Sequence, residues 1–457
     1  MRRVVYTWWP LAFSWLLMAV ESPTVSAIVA RLAEPEINLA AFGGLVWPLA
    51  LLIESPILML LSASTALNRD WDSYLKLHRF MMRVSAVLTV VHVLVVFTPF
   101  YYFVVVDVVG APAEIVEPAR LGLMVMVPWT WAVGYRRFNQ GVLIRFGHSR
   151  TVGLGTLIRL GTDGLVLAVG YLVGTIPGIA VAGATLTVGV LSEAVYSGLR
   201  VRPVLRGQLR QAPPIEQPLT FRALIAFYTP LAMTSLLNLL AEPVASAALS
   251  RMPNALESLA VWPVVSGFTF LLRSLSYAYN EVVIALLDEP RAARNLQRFM
   301  ALLATVTSAL LLIIVATPLA AFWFGRVSAL PPRLATLARR GLWIMLPVPG
   351  LTALQSWYQG VIVHSRRTRA ITEAVATYLL TSSAILWVGA AWGQATGLYL
   401  GLAAIATGRL AQTFWLWYRS GPVARAVQPA GTSFRATCPE RVEGKRSEVE
   451  VSPPPGA

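Results

Sequence analysis

Apolar runs of roughly 20 residues or more, separated by short polar breaks, follow one another along nearly the whole of this 457-residue chain. A run of that length suits a helix that crosses the hydrocarbon of a bilayer. With 56% hydrophobic and 13% charged residues, and a mean hydropathy of +0.64, the chain has too little polar material to coat a water-soluble core. Spans of this kind close their own backbone hydrogen bonds, which makes them helices. The expected fold class is an all-α polytopic membrane protein with the lipid bilayer as its solvent.

The spacing of the runs predicts twelve transmembrane helices, near 8-30, 39-66, 80-106, 119-145, 152-175 and 179-200, then near 223-249, 258-287, 299-325, 336-363, 371-392 and 396-418. The start Met1-Arg2-Arg3 resembles a signal peptide only briefly, because no small-residue cleavage site follows. It is expected to be a retained first span. Between the two sets, 201-222 is polar and rich in Arg and Pro, and reads as a cytoplasmic linker. The domain expectation is a six-helix bundle over 1-200, the linker, a second bundle over 223-418, and a disordered cytoplasmic tail over 419-457.

The net charge of +15 does not point to nucleic acid, because the arginines gather in short loops between apolar runs. Breaks carrying Arg69, Lys76 and Arg79, then Arg145 and Arg150, the linker, Arg291, Arg294 and Arg298, and Arg366, Arg367 and Arg369 all fall on one side. The positive-inside rule makes that side the cytoplasm, with both termini there and the protein in the cell inner membrane. Arg326 and Arg333 weaken the asymmetry without reversing it. The one cysteine, Cys438, excludes an intramolecular disulfide.

The sequence also matches itself. Pro10-Leu11-Ala12 falls on Pro230-Leu231-Ala232 at a shift of 220, which also brings Pro23 onto Pro243 and Arg31 onto Arg251. Farther on, a shift of 219 brings Arg79-Phe80-Met81 onto Arg298-Phe299-Met300, Thr98-Pro99 onto Thr317-Pro318, Pro128 onto Pro347 and Gln140-Gly141-Val142 onto Gln359-Gly360-Val361. Two duplicated bundles with an even number of helices each are related by an axis along the membrane normal. Transporters built from parallel repeats have this architecture.

A charge in hydrocarbon costs a few kcal/mol or more, so ionisable residues near helix centres are candidates for function. Glu21 lies deep in the first helix and Glu242 in its duplicate, and Glu54 repeats the Glu-Ser-Pro pattern in the second. Proline frees a backbone carbonyl, so a carboxylate beside it forms an oxygen-rich pocket for H+ or Na+. These three are the cation-coupling candidates; no other metal is expected. Arg273, Tyr277 and Glu281 share one face of the eighth helix, with Asn280 beside them, as substrate-binding candidates. For Arg273 an ion pair with Glu242 or Glu54 is the alternative. Of the secondary candidates, Asp163 is expected to neutralise Arg159 one turn away and His92 to be a satisfied structural histidine or a proton relay, while Glu193 and Arg409 are expected to snorkel. No phosphate loop, His-Glu-x-x-His helix or Gly-x-Ser-x-Gly elbow is present, so neither a cofactor nor an enzymatic reaction is expected.

The loop Gln140-Gly141-Val142-Leu143-Ile144-Arg145-Phe146-Gly147-His148-Ser149-Arg150, with its duplicate from Gln359, resembles the Gly-hydrophobic-Arg-Gly-Thr-Arg loop of the MATE and oligosaccharide-flippase (MOP) superfamily. Trp8-Trp9-Pro10-Leu11-Ala12 and the stretch around Leu272-Arg273-Ser274-Leu275-Ser276-Tyr277 are similar to the progressive ankylosis family within it. The resemblance implies a MATE-like fold and export by alternating access, with H+ or Na+ exchanged at first- or seventh-helix carboxylates, here Glu21 and Glu242. The first helix holds no aspartate, so the resemblance does not choose the ion. The leading expectation is a monomeric, ion-coupled exporter of a small-molecule substrate. Alternatives are an exporter of polyvalent anions such as pyrophosphate, nucleotides or citrate, a flippase of lipid-linked oligosaccharides, and a membrane scaffold or receptor. Cysteine labelling should find position 34 outside and positions 73, 148, 210 and 430 inside; labelling of 148 or 210 from the outside would reverse the orientation.

Overall fold

The structure, a computed structural model, describes residues 1–213, 218–287, 292–364 and 369–427, and among these it is helical without strands. Twelve rods form two lobes. The first lobe holds α1 (Arg2–Val29), α2 (Pro35–Leu67), α3 (Trp71–Phe97), α4 (113–145), α5 (Ser149–Val173) and α6 (Gly178–Leu209). The second holds α7 (Phe221–Leu249), α8 (Ala255–Leu286), α9 (Ala292–Ala316), α10 (332–364), α11 (Arg369–Trp392) and α12 (Gly397–Val427). Nine of these are long and apolar enough to cross a membrane. Of the other three, α4 and α12 are more polar, and α10 is broken into pieces of 13 and 17 residues. In α4 the reason is visible, since Arg136, Asn139 and Gln140 point into the lobe and are buried.

Breaks in the rods repeat with the sequence. α4 is broken at Met126, two residues before Pro128, and α10 near Met345, two residues before Pro347; proline supplies no N–H and clashes with the carbonyl four residues back. α3 begins on a capping box between Asp70 and Ser73 and ends at Thr98-Pro99. It therefore starts and stops nine residues before the expected 80-106, and 100–109 continue as a separate short helix. Ser73 is fully buried in that box, so Asp72, which is exposed, is the better labelling position. α6 runs on through a π-helical turn to Leu209, inside the stretch expected to be linker, and α12 continues past 418 to Val427.

The lobes meet along α1 with α8 and α2 with α7. Trp8 Nε1 donates to the Leu275 carbonyl at 2.9 Å, and the Tyr228 hydroxyl to the Pro56 carbonyl at 2.5 Å. Near the pseudo-twofold axis Gly43 lies so close to its own repeat mate Pro263 that a Cβ there would collide with the ring. On the arginine-poor face the lobes exchange similar clasps, offset by a residue or two. Arg31 at the end of α1 reaches the Arg326 carbonyl at 2.8 Å, and its mate Arg251 at the end of α7 reaches Val109 and Val108 at 2.7 and 2.5 Å. Gly110 follows that acceptor turn with φ of 75°, and its mate Ala329 takes φ of 51°.

Within each lobe one polar side chain fastens the start of the last helix. Asn38 Oδ1 accepts from the Ile179 amide at 2.9 Å, and Ser258 Oγ, its mate, from the Leu398 amide at 3.0 Å. Both acceptors are buried. Asn38→Ala and Ser258→Ala should each cost about 1–3 kcal/mol by leaving a buried amide unpaired, seen as a lower Tm in detergent; unchanged melting would show that water replaces the bond.

Candidate functional site

At mid-span in the first lobe a network of charge is buried where hydrocarbon would otherwise be. Glu193 of α6, 1% exposed, is its hub. Its carboxylate accepts from Arg136 at 2.5 Å and Gln140 at 2.8 Å, both on α4, and lies 3.5 Å from the Thr156 hydroxyl and 3.7 Å from Arg159 Nε on α5. The outer end of the same guanidinium, Nη2 of Arg159, pairs with Glu21 of α1 at 2.7 Å. Four helices are thereby linked through two arginines. Asp163, one turn along α5 and 3% exposed, receives no hydrogen bond on either oxygen.

Two sequence expectations are corrected here. Arg159 does not neutralise Asp163 by contact; the neighbouring helices offer it Glu21 and Glu193, whose geometry is better. Glu193 does not snorkel, because Arg136 and Gln140 satisfy it within the lobe. Glu21 and Glu242 are also not mates: the shift of 220 places Glu21 on Ala241 and Glu242 on Ser22.

Glu54 of α2 is wholly buried and neither oxygen has a partner in hydrogen-bonding geometry, although the Thr130 hydroxyl lies beside it. Thr130 is engaged by His92 Nδ1 at 2.8 Å, and His92 Nε2 faces the Leu123 carbonyl at 3.1 Å. Only the Nε2–H tautomer satisfies that carbonyl, so the imidazole is a satisfied one, and it leads by one hydroxyl to a carboxyl.

In the second lobe Arg273 pairs with neither Glu242 nor Glu54. Its Nε donates to Thr352 Oγ1 at 3.1 Å, and its guanidinium to the Tyr277 hydroxyl, whose ring it also overlies at 5.3 Å. Glu242 accepts only a long 3.4 Å bond from Trp262. Arg409 of α12 sits over the Tyr378 ring at 4.5 Å and donates to Gln412 at 3.1 Å. Asn280 keeps a buried, unpartnered Oδ1, whereas Glu281 is exposed and lies by Trp15. The face read from the sequence therefore splits: Arg273 and Tyr277 act together and Glu281 stands apart. Arg136 and Arg137 escaped the sequence reading, and Gln140 entered it only through the repeat and the loop, although a pair of arginines inside the expected span 119-145 was a signal of the same kind as Arg273.

No protein-family model and no curated relative matches the sequence. Solved structures do match in shape. An inward-facing multidrug resistance MATE family transporter of the MOP superfamily superposes with a TM-score of 0.69 at 15% identity, covering 91% of this chain and 96% of that one. The lipid II flippase MurJ in an inward closed conformation gives 0.67 at 12%, covering 91% and 89%. An outward-facing MATE transporter gives 0.55 at 14%, covering 93% and 96%. The chain thus has the MATE and MurJ fold, as the resemblance carried by the loop from Gln140 implied. Within the network, Glu193→Ala should cost about 3–5 kcal/mol, because Arg136 and Arg159 lose a buried partner. Asp163→Asn, which removes a carboxylate that accepts no hydrogen bond, should change stability by no more than about 1 kcal/mol; equal losses in the two variants would mean that Asp163 is as well paired as Glu193.

Proposed function

We propose that this protein is an ion-coupled secondary transporter of the cell inner membrane, exporting small organic molecules by alternating access of its two lobes. One chain supplies both lobes, so the monomer is the working unit. The observation that carries the reading is an imbalance of buried charge. Among the described residues of the first lobe, the carboxyls of Glu21, Glu54, Asp163 and Glu193 face the guanidiniums of Arg136, Arg137 and Arg159. Fully ionised, this set is one positive charge short, at a depth where an uncompensated charge costs a few kcal/mol or more. One H+ or Na+ closes the deficit.

Glu54 and Asp163, which lack donors, are the groups on which a proton costs least. Glu21 is where neutralisation acts on the lobes: it frees α1 from Arg159, and α1 packs along α8 of the other lobe. The arginine-rich face is cytoplasmic in this reading, and the Arg31 and Arg251 clasps hold the outer face shut. The better superposition on the inward-facing neighbour than on the outward-facing one supports that state.

A second reading, export of polyvalent anions, is favoured by the opposite imbalance in the second lobe. There Arg273 and Arg409 face Glu242, so a bound phosphate or carboxylate completes the set. A guanidinium offers such an oxyanion paired donors in a plane, which lysine does not reproduce.

Uptake into inverted vesicles under imposed pH or Na+ gradients, with ethidium compared against radiolabelled pyrophosphate and citrate, tests both readings. Glu21→Gln and Glu54→Gln should insert normally yet lose gradient-driven transport; transport with unchanged pH and Na+ dependence in both would remove the coupling role. With an anionic substrate, Arg273→Lys should weaken affinity by roughly tenfold or more and Arg273→Ala nearly abolish transport. If Arg273→Ala lowers only Tm and anion transport persists, the second reading fails.

A further inference from the structure

We propose that the groove between α3 and the start of α7 is a binding site for an anionic glycerophospholipid. It encloses about 560 Å³ and belongs to neither buried charge cluster. Lys76, Arg79 and Arg83 of α3 stand along one wall, followed by Val84, Val87 and Leu88, with Phe221 and Leu224 of α7 opposite. Residues at these spacings share one face of a helix. The groove is therefore basic at the end nearest the arginine-rich face and apolar toward the bilayer centre.

Charge complementarity selects the occupant. Arg79 and Arg83 are exposed and form no ion pair among the described residues, whereas Lys76 is half committed to Asp72 at 2.6 Å. Two free guanidiniums one turn apart match the oxygens of a phosphodiester. From Lys76 to Leu88 the helix rises about 18 Å at 1.5 Å per residue, comparable with one leaflet of a bilayer whose core is about 30 Å thick. The length and the order of polarity thus fit a headgroup with the upper part of its acyl chains, and basic clusters at this level attract anionic lipid. A free anion would leave Val87, 61% exposed, and Phe221, 65% exposed, without a partner in the groove.

The site is not a by-product of the duplication. Arg79 has a mate in Arg298, but Lys76 falls on Asn295 and Arg83 on Leu302. Because the groove joins the first lobe to the first helix of the second, a lipid held there touches both.

Full-length protein from nanodiscs of equal phosphatidylglycerol and phosphatidylcholine, delipidated stepwise and read by native mass spectrometry, tests the proposal. The parent should retain phosphatidylglycerol in several-fold preference. The double variant Arg79→Gln/Arg83→Gln should bring that preference down to near parity, and Val87→Ala, which trims the apolar wall without placing a charge in hydrocarbon, should lower it as well. Arg298→Gln should leave it unchanged. The proposal is overturned if the double variant keeps the parental preference, if Arg298→Gln lowers it equally, or if soluble glycerol phosphate at matched concentration displaces the phosphatidylglycerol.

Discussion

Glu193 is the residue on which the inner part of the first lobe depends. A carboxylate removed from water is stable only if donors replace its hydration, and here Arg136, Gln140, Thr156 and Arg159 surround it from two helices. Those donors fix how α4, α5 and α6 sit about one point. Arg159 has donors left over after reaching toward Glu193, and spends them on Glu21, which draws α1 into the same set. The helix that touches the opposite lobe is thereby tied to the centre of its own.

The duplication has kept the frame and changed this centre. Clasps, helix breaks, the amide locks at Asn38 and Ser258 and the left-handed turns at Gly110 and Ala329 all persist at shifts of 220 or 219. The charged members of the network do not. At a shift of 219, Arg136 becomes Gln355, Arg159 becomes Tyr378, Asp163 becomes Ser382 and Glu193 becomes Gln412. The replacements still bond to one another, as Gln355 does to Thr413 and to the Arg409 carbonyl. A neutral polar set meets the same hydrogen-bonding demand without the charge, so structure alone did not require the ions in the first lobe.

Fold class and duplication were legible because both depend on residue type along the chain: apolar runs read as spans, and prolines and glycines recur at shifts of 220 or 219. Ends of helices were less so. The start of α3 is set by the Asp70 cap, which lies ahead of the expected window 80-106, and its end by Thr98-Pro99, which lies inside that window because apolar residues run on to Val109. Pairing was hardest to read, because it depends on distances between helices. Asp163 follows Arg159 by one turn and seemed its natural partner, yet the guanidinium turned to carboxylates on α1 and α6. For Arg273 the sequence left substrate binding and an acid partner open; the nearby hydroxyls of Tyr277 and Thr352 take its donors, and no acid does.

On the proposed reading, and among the described residues, the two lobes carry opposite defects, one short of a cation and the other short of an anion. On that reading each defect is costly while it is empty and would be relieved by a ligand of opposite sign. A third element decides whether the two events communicate. α1 carries Glu21 into the first cluster and presses Trp15 against the Tyr277 ring, which in turn holds Arg273 of the second. Release of Glu21 from Arg159 therefore alters a helix whose next contact is the aromatic partner of the opposite arginine. The coupling free energy between two such sites must be reciprocal, so an anion that draws Arg273 away from Tyr277 would change the affinity of the first lobe for its cation by the same factor.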